Sequence, residues 1–113
     1  MDNRDEMTRA RIQELNDRLR QTGTGGRVML TRAIAALPHD LVSKILATVR
    51  AFDAFNGAND PWSEHDFGQV EVEDAAYFWK IDTYDLNLEY GSPDPSDENV
   101  TRRILTVMTA RDV

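Results

Sequence analysis

The chain has no cysteine. That absence excludes disulfides, thiolate zinc sites and thiol nucleophiles, and it fits a reducing compartment. No run of about 18 apolar residues occurs, so nothing in the sequence reads as a membrane-spanning helix. The opening stretch, Met1-Asp2-Asn3-Arg4-Asp5-Glu6, is charged and lacks the apolar core of a secretory leader. These absences predict a cytoplasmic protein with no membrane partner. Histidine is confined to His39 and His65, and Ser43, Ser63, Ser92 and Ser96 lie in no nucleophile-elbow context. A triad of serine, histidine and carboxylate therefore has little room.

Basic residues are scarce in one place. Residues 1–59 carry a net charge of +2 and residues 99–113 another +2, whereas residues 60–98 hold twelve Asp/Glu against one Lys, a net of −11. The same segment carries seven of the nine aromatics: Trp62, Phe67, Tyr77, Phe78, Trp79, Tyr84 and Tyr90. A disordered acidic tail would lack those rings, so the segment is expected to fold with rings inward and carboxylates outward. With 113 residues, 41% hydrophobic and 29% charged, the chain fits one domain with one modest core over residues 1–113, frayed at 1–6.

Periodicity gives the order helix, strand, helix, β-hairpin, helix. From Asp5 to Gln21, Ile12, Leu15 and Leu19 form a narrow apolar stripe on a helix that Gly23, Gly25 and Gly26 end. Residues 27–32 are β-prone. Pro38 opens a second helix, with Asp40 near its positive end and Leu41, Val42, Ile45, Leu46, Val49 and Phe52 on one wide face. Phe55 to Glu64 is loop. Phe67 to Val72 and Ala76 to Thr83 read as an antiparallel hairpin around Glu73-Asp74-Ala75, in which Tyr77, Trp79 and Ile81 share a face. Ser96 or Asp97 caps a last helix with Val100, Ile104, Val107 and Met108 on one side. The expected fold class is α+β, with helices packed on a small antiparallel sheet.

Several stretches carry a resemblance: Gly25-Gly26-Arg27-Val28-Met29-Leu30-Thr31-Arg32, Ala35-Ala36-Leu37-Pro38, Asn59-Asp60-Pro61-Trp62-Ser63-Glu64-His65-Asp66-Phe67-Gly68, Phe78-Trp79-Lys80-Ile81-Asp82 and Glu89-Tyr90-Gly91-Ser92-Pro93-Asp94-Pro95. Over roughly Leu15 to Arg111 the chain resembles a family of small bacterial proteins classed as a domain of unknown function. The resemblance implies a bacterial, plasmid or phage setting, sometimes near anti-restriction genes. It implies no activity, cofactor or catalytic residue.

Four chemistries can be weighed on the residues themselves. His65 and Asp66, with Asp82 nearby, would suit a divalent metal or a general base, but adjacent residues on an extended chain point alternately and cannot all grip one ion. Asp85-Leu86-Asn87-Leu88-Glu89-Tyr90 lacks the glycine and the final glutamate of a calcium loop, and Gly23-Thr24-Gly25-Gly26 precedes a strand instead of opening a helix, so neither cradles an ion. The arginines of the first helix alternate with Asp5, Glu6, Glu14 and Asp17, and the sequence pI is about 4.7, which disfavours direct nucleic-acid binding. The acidic segment either keeps the protein soluble or attracts a basic partner by steering. The expected partner-binding residues are Asp60, Trp62, Glu64, Asp66, Glu71, Glu73, Asp74, Asp82, Asp85, Glu89, Tyr90 and Asp94. The expected partner is the basic surface of a nucleic-acid-binding protein, and the expected function is non-catalytic inhibition of a defence system such as CRISPR or restriction. The competing readings are a small metal-dependent enzyme and the acidic half of a toxin–antitoxin pair. A homodimer through Trp62 and Tyr90 is the other association considered, and no cofactor is expected.

Overall fold

A computed structural model describes residues 3–113. Helix α1 spans Asn3–Thr22, strand β1 Arg27–Leu30, a one-turn helix α2 Arg32–Ala35, helix α3 His39–Arg50, strand β2 Phe67–Val72, β3 Ala75–Tyr84 and β4 Arg102–Thr109. A short 3₁₀ turn at Glu98–Val100 precedes β4. Of the stretch expected to fray, residues 1 and 2 lie outside the described residues and Asn3 onward is helical. The α+β class holds. No helix is long and apolar enough to cross a membrane among the described residues.

The strands form one sheet in the order β1-β4-β3-β2. It is mixed instead of purely antiparallel, because β1 runs parallel to β4 while β2, β3 and β4 alternate. Leu19 of α1, Ile34 of α2 and Ile45 and Val49 of α3 share one core with Val70, Val72, Tyr77, Trp79, Ile81, Leu105 and Val107. All three helices thus pack on a single face of the sheet. The opposite face carries Met29, Ile104, Thr106, Phe78, Lys80, Asp82 and Phe67, which alternate with the core residues along their strands.

The last element departs from expectation. Residues 102–109 form the central strand β4, not the helix expected after Ser96 or Asp97. Val100, Ile104, Val107 and Met108 do fall at helical spacing, yet Val100, Thr101, Ile104, Thr106, Val107 and Thr109 are β-branched and favour a pleated sheet. Flanked by β1 and β3, the strand buries Arg103, Leu105, Val107 and also Met108, so its period of two is blurred by apolar residues on both sides. Asp97 does cap, accepting from Asn99 N, but the helix it starts is the single 3₁₀ turn.

Two glycines fix the packing. A Cβ on Gly68 would collide with the Trp79 indole and with Phe52, so this position opposite Trp79 must be bare. A Cβ on Gly26 would collide with Arg103 O and Leu19, so the approach of β1 to β4 needs glycine there. The β2–β3 turn is two residues long, with Glu73 at φ 51° and Asp74 at φ 67°. Both lie in the left-handed region, where a Cβ crowds the next carbonyl. The double substitution Glu73→Asn, Asp74→Gly, which installs the pair that such a turn favours, should raise unfolding stability by about 1 kcal/mol. Urea denaturation of the double variant checks this, since the lost Lys44–Glu73 pair is exposed on both sides and contributes little.

Candidate functional site

The site is built on polar residues of α1 that face inward. Ile12, Leu15, Asn16, Leu19 and Arg20 are all buried and fall at i, i+3, i+4, i+7 and i+8, one helical face. The Arg20 guanidinium donates to Asp17 Oδ1 at 3.1 Å and to the carbonyls of Val49 and Arg50 at the end of α3. It also lies 5.4 Å from the Phe55 ring centroid and 5.5 Å from that of Trp79. A cation at a helix carboxyl end meets the negative end of the dipole, and the two rings add cation–π attraction.

The same helix holds the loop of residues 51–66. Gln13 donates to Ser63 O and Asn16 to Glu64 O, both at 2.9 Å, and Asp17 Oδ1 lies 2.8 Å from His65 Nδ1. The imidazole stacks flat on Phe55, with centroids 3.7 Å apart. Asp60 is buried and accepts from the backbone N–H of Glu64 and of His65, and its other oxygen is 3.5 Å from His65 Nε2. Both ring nitrogens of His65 therefore face carboxylates, and Asp60 closes the loop. Asp82 instead pairs with Lys80 at 3.1 Å. Among the described residues no three His, Asp or Glu side chains are grouped as metal ligands.

The loop delivers Glu64 and Asp66, half-buried, to the end of the sheet where β2 begins and β3 ends. Burial pushes the Glu64 carboxyl above its ordinary value, and Asp66 and Asp60 push it further, with Arg9 and Arg103 opposing. Burial raises Asp66 likewise, helped by Asp60 and Asp82 against a backbone hydrogen bond and His65. Four of the expected carboxylates are thus within electrostatic reach of one another.

At this same end, residues 85–101 connect β3 to β4 as a long, internally braced lobe. Asp85 N donates to Tyr90 O, Ser92 N to Thr83 O and Asp97 N to Asp94 O. Asp85 Oδ1 accepts from Glu89 N, Asp94 Oδ1 from Ser96 N, and Thr101 Oγ1 donates to Asp94 O and Asp97 O. The buried Arg103 donates to Asn16 Oδ1 at 2.6 Å and to Pro95 O, which fastens the lobe to α1. Its exposed apolar side chains are Leu86 (49%), Leu88 (49%) and Tyr90 (73%), with Glu89 and Asp94 exposed among them. A connection of this length between neighbouring antiparallel strands is uncommon and usually functional.

The expected residues therefore divide. Asp60, Glu64, Asp66, Asp82, Asp85, Glu89, Tyr90 and Asp94 sit at one end of the sheet, while Glu73 and Asp74 form the turn at the opposite end of β3, with Glu71 beside it on β2. Ten strand residues separate the two groups by about 30 Å, beyond the screening length in ordinary salt. Trp62 is exposed beside α1, with Arg9 over its ring at 5.8 Å. Glu98, outside the expected set, is held below the ordinary glutamate value by its hydrogen bond to Arg18 and by that cation's charge, and it also meets Arg11 at 3.5 Å. Asn16, Asp17, Arg20 and Arg103 were not among the expected residues. The signal for two of them is in the sequence, because Asn16 and Arg20 occupy positions that helical periodicity assigns to the buried face.

An α+β protein with one acidic, lobed end is what fold and site define. Residues 30–112 match the family described as "Protein of unknown function (DUF3768)", and the chain belongs to that family. No curated protein and no solved structure matches it.

Two outcomes test the geometry. Arg20→Met keeps the bulk but removes the guanidinium from the two carbonyls at the end of α3 and from Asp17, and it should cost about 3 kcal/mol, against less than about 1 kcal/mol for Arg18→Met on the surface. Urea unfolding of both variants measures the contrast. For Glu64, a raised native pKa means the unfolded chain releases its proton first as pH rises, so this group opposes folding at neutral pH. Glu64→Gln should therefore stabilise at pH 7, and the gain should shrink as pH falls through the raised value and vanish below 4.5, the ordinary glutamate value. Unfolding midpoints of the two proteins at neutral and acid pH follow that window.

Proposed function

We propose that the protein is a non-catalytic binding protein that docks on a basic surface of a nucleic-acid-binding partner through its lobed end, and so keeps nucleic acid away from that surface. The lobe carries this reading. It is preformed by its own hydrogen bonds, it exposes Tyr90, Leu86 and Leu88 at its tip, and carboxylates surround them. An exposed tyrosine beside apolar side chains in a charged rim suits an interface anchor, and a preformed loop loses little entropy on binding.

The cluster beneath the lobe supports the same direction. Glu64, Asp66, Asp60 and Asp82 repel one another in the free protein, and an arriving Lys or Arg relieves that repulsion. Charge of this sign steers a basic partner and repels nucleic acid. The resemblance to proteins of mobile elements makes a defence complex of the CRISPR or restriction type the partner class proposed for a bacterial setting, and makes inhibition the consequence.

Binding to an immobilised basic nucleic-acid-binding protein should be tight in dilute buffer and fall steeply once salt passes about 0.1 M, where the screening length is about 10 Å. The triple variant Glu89→Gln, Tyr90→Ser, Asp94→Asn should weaken it at least about tenfold. The pair Glu73→Gln, Asp74→Asn, at the far end of β3, should leave it unchanged. Equal loss from both variants, or binding indifferent to salt, would reduce the acidic surface to a solubilising role.

A further inference from the structure

Beside the lobe lies a cleft of about 590 Å³ whose charge is opposite to that of the protein as a whole. It opens where β1 and β4 run side by side. Arg27 is the register partner of Ile104, and Arg102 precedes Ile104 by two residues, so both arginines project from the same face of adjacent strands and line the cleft. The chain holds twenty carboxylates against thirteen cations, so acidic partners abound. Arg11, Arg18, Arg20, Lys44 and Lys80 each have one within 4 Å. Arg27 and Arg102 have no ion pair or side-chain hydrogen bond among the described residues. The carboxylate that borders the cleft, Glu98, is already held by Arg11 and Arg18.

We infer that this cleft binds a small organic anion, its phosphate or carboxylate head between Arg27 and Arg102 and its apolar body against Leu86, Leu88 and Ile104. Guanidinium forks match the planar or tetrahedral oxygens of such heads and bind them in bidentate fashion. Two unneutralised arginines on neighbouring strands repel each other until an anion sits between them. The apolar wall is independent evidence for the body of the ligand. Leu86 and Leu88 line the cleft while half of each side chain is exposed. Leu88 reaches that position from a backbone at φ 60°, a conformation that a leucine holds only where its surroundings impose it. The volume falls in the range of sites that enclose drug-sized ligands. The site shares Leu86 and Leu88 with the lobe but does not depend on the docking role proposed for it, because its anchoring charges lie on β1 and β4.

Amide chemical shifts of the intact protein, titrated separately with phenyl phosphate, hexanoate and inorganic phosphate, test the inference. Phenyl phosphate or hexanoate should produce saturable shifts at Gly26, Arg27, Leu86, Leu88 and Ile104, with the tighter of the two identifying the head group, and inorganic phosphate should bind more weakly than either. Arg27→Gln and Arg102→Gln, both on exposed side chains, should each weaken the organic anion at least about fivefold while sheet amide shifts away from the cleft stay in place. Leu88→Ser should weaken the organic anions and leave inorganic phosphate unchanged. The Glu89, Tyr90 and Asp94 triple variant should keep the binding, which separates anion binding from the docking role. Absence of saturable shifts with all three anions, or shifts that survive removal of both arginines, would overturn the site.

Discussion

The Arg20 guanidinium is the point on which the architecture turns. It is a buried cation, and an isolated charge in an apolar interior would be strongly unfavourable. Here the costs are offset from three sides, by Asp17, by two carbonyls at the end of α3 and by the faces of Phe55 and Trp79. The arrangement also sets geometry. It fixes the rotation of α1 about its axis, and that rotation presents Gln13, Asn16 and Asp17 to the 51–66 loop at the height where Ser63, Glu64 and His65 can be gripped.

Once the loop is gripped, Glu64 and Asp66 are held half-buried at one end of the sheet. Their affinities for protons are raised first by burial, and the neighbouring carboxylates add a repulsion that the fold sustains. Asp60 contributes to it while being indispensable to the turn, since its Oδ1 accepts from two backbone N–H groups. Of the α1 arginines, Arg9 opposes this field only in part, while Arg11 and Arg18 are directed to Glu98 and Arg20 to Asp17 and the α3 carbonyls. Cations and carboxylates at this end are therefore sorted into separate pairs, and two unequal remainders persist: an acidic rim and a basic cleft.

Much of this was readable in the sequence, and what was not has identifiable causes. The amphipathic face of α3 was plain because its apolar positions have one period and no competitor. The β2–β3 hairpin was equally plain, since Tyr77, Trp79 and Ile81 alternate with the mixed set Phe78, Lys80 and Asp82 and two acidic residues interrupt the pattern. Strand β4 was obscured because a central strand with apolar residues on both faces shows no period of two, and its Val100, Ile104 and Val107 fit a helix as well. Arg20 and Asn16 were hidden by composition: on a helix with so many charges the eye assigns every polar residue to solvent, although position and not polarity decides burial. The acidic segment could be found from charge alone. Its division into two ends could not, because that depends on which carboxylates precede β2, which sit in the hairpin turn and which follow β3.

The relation between the family segment and the rest of the chain follows from the same contacts. The match covers residues 30–112, which include Asp60, His65, Trp79 and Arg103 but not α1. Yet His65 meets Asp17, Trp79 lies under Arg20, Arg103 is held by Asn16, and Leu19 belongs to the core. Residues 30–112 alone would leave the indole, the imidazole and a buried guanidinium without their partners on one side. Burial of those groups needs a helix that brings a carboxylate, an amide and a guanidinium on successive turns beside an apolar stripe. In this chain α1 meets that requirement, so the acidic end that the family segment encodes takes its shape only when residues outside that segment fold onto it.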